Sequence, residues 1–235
     1  MNVEVFMRQS FHSKASAHKG RPDYWTKERS LSNLHETIGS ANYTIIYDKH
    51  FGELASVDNR LLANSKKEIV EVDCGTEAKS FLAMLDYIES RDLNDDTIVY
   101  LLEDDYIHKP GWVNVLIEGI QSGVSYVTLY DHPDKYTSLY RGYQSTIFFT
   151  ESTHWRTIPS TTNTYAGLWG TFKEDMAIHR KYSTGVDISR DHEKFLELGQ
   201  EYRVIASPVP GWSSHCTIGC EAPIVDWAKY SDPLR

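Results

Sequence analysis

The 235-residue chain has a formal net charge of -9, and 40% of its residues are hydrophobic and 12% aromatic. This composition predicts a globular fold with a buried core rather than disorder. The acidic balance argues against electrostatic binding to nucleic acid or to an anionic membrane, since both need clustered lysine and arginine. No run is apolar for long enough to span a bilayer, and charges break the opening MNVEVFMRQS, so we expect a soluble, cytoplasmic protein.

Three cysteines, Cys74, Cys216 and Cys220, lack the spacing of a disulfide framework, which favours a reducing compartment. Cys216 and Cys220 with His215 could form half of a zinc site, but the sequence has no second pair of cysteines. No repeat, low-complexity or linker segment is present, so we expect a single domain over residues 1–235.

Hydrophobic periodicity predicts alternating strands and helices. Strands are predicted at residues 3–7, 43–48, 66–75, 96–105 and 201–209. Helices are predicted over ERSLSNLHETIGSA, EAKSFLAMLDYIES, the residues after Gly111 and the residues around Asp191. Strands and helices that alternate at these lengths imply right-handed βαβ units, in which a mostly parallel sheet is covered on both faces.

The run IVYLLEDDY ends an apolar strand in three carboxylates, Glu103, Asp104 and Asp105. Ligands bind at the carboxyl ends of parallel strands, where these residues fall. Adjacent carboxylates repel one another, so a divalent cation would be a natural partner. The acids could instead cap the helix that begins near Gly111, and the run alone leaves both interpretations open.

Followed by PGWVNVLIEGI, this run resembles the metal-binding motif of the nucleotide-sugar-dependent glycosyltransferases of the GT-A fold. The resemblance implies a single α/β domain, Rossmann-like, with a mostly parallel mixed sheet flanked by helices. Residues 1–106 would form the donor half, 107–216 the acceptor half and 217–235 a C-terminal tail. It also implies that Asp105 binds Mn²⁺ or Mg²⁺, while Glu103 and Asp104 contact the donor.

Two later motifs follow in the order that this family has. The resemblance makes Asp191 of SRDHEKFLELG the catalytic base of an inverting transfer, and His215 of PVPGWSSHC a second metal ligand. An imidazole ligand favours Mn²⁺ slightly over Mg²⁺. Asp191 could equally cap its helix. Asp175 of WGTFKEDMAIHR is the second candidate for the base.

The same resemblance suggests residues that bind the two substrates. Arg8, Asp48 and Lys79 would contact the nucleotide-sugar donor, although each is explained as well by an ordinary surface position. Trp169 and Trp212 would stack on the carbohydrate acceptor, because sugar C–H faces pack against aromatic rings.

Three functional hypotheses follow. The leading one is a metal-dependent, inverting glycosyltransferase that moves a sugar from a nucleotide sugar, with UDP favoured, to a hydroxyl of a glycan acceptor. The second is a metal-dependent phosphoesterase or nucleotidyltransferase that uses the same acidic cluster. The third is a catalytically inactive sugar-binding module.

Overall fold

The computed structural model describes residues 1–52 and 68–231. Its strands are β1 (Val3–Ser10), β2 (Asn42–Asp48), β3 (Glu68–Val72), β4 (Ile98–Glu103), β5 (Tyr106–His108), β6 (Tyr126–Val127), β7 (Ile147–Phe149), β8 (His154–Thr157), β9 (Tyr165–Leu168), β10 (Ile205–Val209) and β11 (Ser213–His215). Its α-helices are α1 (Lys27–Thr37), α2 (Glu77–Glu89), α3 (Trp112–Gln121), α4 (Trp169–Lys181) and α5 (Asp191–Gln200). Residues 66–67 of the third predicted strand and 232–235 of the predicted tail lie outside the described residues. Within the described ranges, no helix combines the length and apolarity that a bilayer crossing requires.

The main sheet has the strand order β3-β2-β1-β4-β9-β6-β10-β8-β7. The first four of these strands are parallel, whereas β9 runs antiparallel to β4 and introduces a mixed second half. The prediction of one α/β domain with a mixed sheet flanked by helices is confirmed. Because β2 and β3 lie on one side of β1 and β4 on the other, the strand order reverses between β1 and β4, and ligands of such sheets bind at this point.

Alternation along the buried strands fills two cores, one on each face of the sheet. In β1, Val5 and Met7 belong to the core that includes Leu34 of α1, whereas Phe6 belongs to the core that includes Phe81 of α2. Successive strand side chains point to opposite faces, so a strand buried on both faces is apolar over most of its length. The sheet is therefore fixed between two helical layers, and its carboxyl edge is held in place.

Threonine caps set the start of two helices beside this edge. The Thr26 hydroxyl accepts from the Arg29 backbone N–H at 3.2 Å, and the Thr76 hydroxyl accepts from that of Lys79 at 3.3 Å. Such caps satisfy helix N–H groups that otherwise lack partners. The cap at Thr76 makes Glu77 the first residue of α2 and places it at the strand ends.

A second, two-stranded sheet joins β5 to β11 in antiparallel register. Its register pairs Tyr106 with His215, and the Cys216 N–H donates to the Asp105 carbonyl at 2.7 Å. This ladder begins one residue after Asp105, so it brings the C-terminal His215 to the end of β4.

Asp175, the second candidate base, serves the architecture instead. It is 5% exposed, and its carboxylate accepts from Arg203 Nε at 2.8 Å, from Arg203 Nη2 at 2.9 Å and from the Tyr126 hydroxyl at 2.7 Å. A bidentate, buried ion pair of this kind is a strong and directional contact. It ties α4 to β6 and to the segment after α5.

Replacing Asp175 with alanine should destabilise the fold by roughly 3 kcal/mol, because Arg203 and the Tyr126 hydroxyl lose their partner in a buried setting. Urea denaturation measures this. Glu174→Ala is the matched control, since exposed Glu174 pairs with the same arginine and should cost less than about 1 kcal/mol. Equal losses in the two variants would contradict this assignment.

Candidate active site

A cleft of about 650 Å³ opens at the carboxyl edge of the parallel strands. Its walls are the ends of β1 and β4, the loop between β1 and α1, the first residues of α2 and α5, and residues 162–163 and 187–189. The volume falls within the range of small-molecule sites, roughly 300–1,000 Å³. The cleft coincides with the reversal of strand order between β1 and β4.

The first two carboxylates of the acidic run each meet a cation. Glu103 Oε1 lies 3.0 Å from Arg8 Nη2, in line with the register that pairs Arg8 with Glu103 across β1 and β4. Asp104 pairs with Lys27 of α1 and also accepts from the Ser10 N–H at 3.2 Å. These contacts relieve the repulsion that the sequence predicted within the run.

The third carboxylate, Asp105, meets two cations. Its Oδ2 lies 3.0 Å from Arg21 Nη1 and 2.9 Å from His215 Nε2. Burial opposes the charge on both partners of the Asp105–His215 pair. Their mutual attraction outweighs burial, so the pKa of Asp105 falls below its usual range and the pKa of His215 rises to about 10. The two predicted metal ligands do come together, here as an ion pair, and their role as metal ligands stays a prediction.

The described lining of the cleft offers few ligands for the predicted divalent cation. Among the described residues, no group of three or more His, Cys, Asp or Glu side chains could hold a metal by itself, which also argues against the zinc site with Cys216 and Cys220. Asp105 Oδ1, however, is buried and has no hydrogen-bond partner in the described part of the chain. Mg²⁺ is usually held by one or two carboxylates together with substrate phosphates. The residues present fit a cation that arrives with a phosphate ligand.

A basic loop contributes another wall of the cleft. The residues between β1 and α1 place Lys14 and Lys19 on this wall, together with His12 and His18. In the sequence this segment is a long polar stretch, HSKASAHKGRPDYWTKERS, which predicts either a mobile flap over the donor or an acceptor-binding insertion. The available signal was the clustering of basic residues in HSKASAHKGR within an acidic chain.

Arg8, predicted to bind the donor, lines the cleft but is occupied by protein carboxylates. Its Nη1 lies 2.7 Å from Glu77 Oε1, in addition to the contact with Glu103. Glu77 also accepts from the Ser189 N–H at 2.7 Å and from Asn163 Nδ2 at 3.2 Å. Although burial opposes ionisation, Arg8 and the Ser189 hydrogen bond keep the pKa of Glu77 below its usual value. Arg8 therefore organises the floor of the cleft.

The other two predicted donor contacts differ in placement. Asp48 lines the cleft, but its oxygens accept from the backbone N–H groups of His50, Cys74 and Gly75. It fastens the end of β2 to the loop after β3. Lys79 is exposed on α2 and does not line the cleft described here.

Asp191, the predicted base, does line the cleft as the first residue of α5. Its Oδ1 accepts from the His192 N–H at 2.8 Å, and burial raises the pKa of its carboxyl group. A carboxylate with a raised pKa takes up a proton more readily than an exposed one. Its catalytic role stays a prediction.

The two predicted acceptor-binding tryptophans lie elsewhere. Trp169 is 3% exposed and packs in the core that includes Phe172. Trp212 is partly buried beneath Lys109, whose ammonium lies 5.3 Å from the ring centroid. Neither lines the cleft in the described part of the chain, so the structure gives no aromatic platform at these positions.

Comparison with known proteins clarifies the fold. No protein-family model matches the sequence, and no curated protein matches it. A solved structure titled as CMP:2-keto-3-deoxy-manno-octonic acid synthetase complexed with CTP is similar, with a TM-score of 0.52, 11% identity, and coverage of 90% of this chain and 92% of that one. A nucleoside-diphosphate-sugar pyrophosphorylase from Vibrio cholerae RC9 has a TM-score of 0.49 and 12% identity over 91% of this chain and 95% of that one.

These findings correct the leading functional hypothesis. Glycosyl transfer is wrong as the main prediction, because the similar structure with a TM-score of 0.52 is titled as a synthetase complexed with CTP and not as a glycosyltransferase. At this identity the similarity establishes the fold alone. In this chain the acidic strand end does face the cleft, but a shared fold does not by itself fix the function.

Lys194 of α5 lies beneath the cleft and is 1% exposed. Its Nζ donates to Asn163 Oδ1 and to the Tyr165 hydroxyl, and it lies 4.7 Å from the Phe81 ring centroid. Burial lowers the pKa of Lys194 to about 7, although Asp191 and Glu77 pull it upward. No described carboxylate forms an ion pair with this amine.

Folding lowers the pKa of Lys194 from 10.5 to about 7, so the unfolded chain binds more protons between these values. The free energy of unfolding should therefore rise with pH from 7 upward, with a slope from this residue approaching about 1.4 kcal/mol per pH unit near pH 8 to 9. Urea denaturation from pH 6 to 9 measures it. Lys194→Met should be more stable than the wild type at pH 6 and should lose this slope. If the free energies of unfolding of the two proteins change in parallel with pH, the lowered pKa of Lys194 is contradicted.

Proposed function

We propose that this protein is a nucleotidyltransferase, which transfers a nucleoside monophosphate from a nucleoside triphosphate to an oxygen of a second substrate and releases pyrophosphate. The observation that carries the proposal is one cleft that combines the basic loop with the carboxylates of residues 103–105 and with Asp191. Phosphoryl chemistry needs both, since cationic groups bind the phosphates and carboxylates bind a cation or accept a proton.

The basic loop suits the triphosphate. Lys14 and Lys19 are ammonium donors, and Ser13 and Ser16 add hydroxyl groups on the same wall. Hydrogen bonds from a charged donor to a phosphate are about twice as strong as neutral ones. The protein's overall negative charge makes this local cluster the more significant, because a triphosphate would otherwise be repelled.

The acidic run suits Mg²⁺ carried by the nucleotide. Asp105 Oδ1 is a buried carboxylate oxygen without a described hydrogen-bond partner, and Asp104 and Glu103 lie beside Asp105 in the cleft. When bound, the cation would offset negative charge on the phosphates as a Lewis acid. His215 lies beside Asp105 and would favour Mn²⁺ slightly as a ligand, so both cations are candidates.

The reaction needs a proton acceptor, and Asp191 is our candidate. The acceptor oxygen attacks the α-phosphorus, a new P–O bond forms, and the bond between the α-phosphorus and its bridging oxygen to the β-phosphate breaks. The electron pair of that bond leaves with pyrophosphate, while the acceptor's proton moves to the Asp191 carboxylate. Partial burial, which raises the pKa of Asp191, suits this task.

The shared fold supports this choice among the hypotheses that the sequence left open. The similar synthetase is described as complexed with CTP, which makes CTP the first triphosphate to test.

Thermal shift with CTP, ATP, GTP and UTP, each with and without Mg²⁺ or Mn²⁺, tests nucleotide binding. One triphosphate should raise the melting temperature in the presence of metal, because ligands that bind only the native state stabilise it by mass action. Asp105→Asn should abolish the metal-dependent part of the shift.

Two controls separate the site from general effects. Lys229→Met removes an exposed cation outside the cleft and should leave the shift unchanged, whereas Lys14→Met should weaken triphosphate binding about tenfold. If none of the four triphosphates shifts the wild-type protein, nucleotidyl transfer is excluded as the function of this cleft.

Asp191→Asn should retain nucleotide binding but lose 10²- to 10⁴-fold, roughly, in the rate of pyrophosphate release, because the amide cannot accept the proton. A coupled pyrophosphate assay with the acceptor mixture that supports wild-type turnover measures this rate. Glu193→Gln changes an exposed acid in the same helical turn and is the matched control. Equal rates for Asp191→Asn and the wild type would remove Asp191 from the mechanism.

A further inference from the structure

A chain of buried hydrogen bonds runs from the Asp175–Arg203 ion pair to the cleft. The Tyr126 hydroxyl lies 2.7 Å from Asp175 Oδ2 and 3.0 Å from His179 Nε2. On the other side of the imidazole, His179 Nδ1 lies 2.9 Å from the Tyr165 hydroxyl, which in turn accepts from Lys194 Nζ at 3.3 Å. Lys194 also donates to Asn163 Oδ1, and Asn163 lines the cleft.

The ends of this chain fix the direction of every hydrogen bond within it. Asp175, held by Arg203, is an acceptor, so the Tyr126 hydroxyl must donate to it and accept from His179 Nε2–H. His179 is fully buried, and burial together with the nearby Lys194 charge holds the pKa of its imidazole far below the usual value, so it is neutral. Its Nδ1 therefore accepts from Tyr165, whose oxygen is left to accept from Lys194.

The direction continues into the cleft through the amide of Asn163. The Lys194 ammonium has only N–H donors to offer, and its Nζ donates to Asn163 Oδ1, which places the amide oxygen on the lysine side. The Asn163 NH₂ group then points away from Lys194, and one of its hydrogens goes to Glu77 Oε1 at 3.2 Å. No other described residue takes the second hydrogen, and Asn163 is 4% exposed at the cleft wall.

We propose that Lys194 is a positioning residue, which holds the Asn163 amide so that an N–H, and not a carbonyl oxygen, faces the ligand. The group that this N–H recognises is an oxygen of the nucleotide, on a phosphate or on the ribose. The inference rests on the proposed function, since it takes the ligand of the cleft to be a nucleotide. Without Lys194 the amide can flip, and it would then present its oxygen to an oxygen-rich ligand.

The test is a double-mutant cycle on Lys194→Met and Asn163→Ala, with calorimetric affinities for CTP in the presence of Mg²⁺. Each single variant should weaken CTP binding about tenfold, and the double variant should be no weaker than Asn163→Ala alone, because Lys194 acts only through Asn163. Lys181→Met is the matched control, since it removes an exposed lysine from the neighbouring α4 and should leave the affinity unchanged.

Two fragments of the nucleotide assign the contacted oxygen. If the contact is to phosphate, Lys194→Met should weaken binding of tripolyphosphate and leave cytidine unaffected. If the contact is to the ribose, Lys194→Met should weaken the binding of cytidine and leave the binding of tripolyphosphate unaffected. Unchanged affinity for CTP and for both fragments in Lys194→Met would overturn the proposal.

A readout without ligand separates this inference from the proposed function. The side-chain NH₂ resonances of Asn163, assigned by their loss in Asn163→Ala, should be sharp and protected from solvent exchange in the wild type. In Lys194→Met they should broaden and exchange faster, because the amide loses its single orientation. Unchanged resonances would overturn the proposal even if CTP binds. If the resonances change in Lys194→Met but the wild-type protein binds no nucleotide, the positioning role of Lys194 is retained and nucleotidyl transfer is rejected.

Discussion

The pairing of the strand-end carboxylates with cations from separate elements is the constraint on which the cleft depends. Residues 103–105 bring three acids to one sheet edge, and their partners are Arg8 of β1, Lys27 of α1 and Arg21 of the loop between them. Leaving buried charges without partners would cost several kcal/mol for each ion. The acidic run therefore holds β1, β4 and α1 together, and the same charges that would bind a ligand also fix the walls around it.

The first half of the sheet was predictable because its physical signal is local. Parallel strands buried on both faces contain continuous apolar runs, and β1, β2 and β4 have such runs at residues 5–7, 45–47 and 98–102. The second half of the sheet was harder to predict from the sequence. β6 has only two residues, and β9 enters antiparallel beside β4 through contacts between distant segments. Such short strands carry too few residues for periodicity to show, so their order comes from tertiary packing.

The candidate site also contains some features that the sequence could predict and others that depend on tertiary contacts. Motif order predicted that Asp105 and His215 lie close together. It did not predict their direct ion pair, because that contact depends on the register of the short ladder between β5 and β11. Residue type misled at Trp169, since a tryptophan suits a core as well as a sugar platform. Asn163 was missed because its importance comes from partners more than 25 residues away in sequence, Lys194 and Glu77.

The loop between β1 and α1 has a double attachment that constrains how the cleft responds to any occupant. Lys19 lies on the cleft wall, and Arg21, two residues later, is tied to Asp105, to the Cys216 carbonyl and to Thr217. Two residues of extended chain reach at most about 7 Å. Lys19 cannot move farther from Arg21 than this reach, so a larger displacement of the basic wall requires Arg21 to break its contacts with the acidic wall and the C-terminal segment.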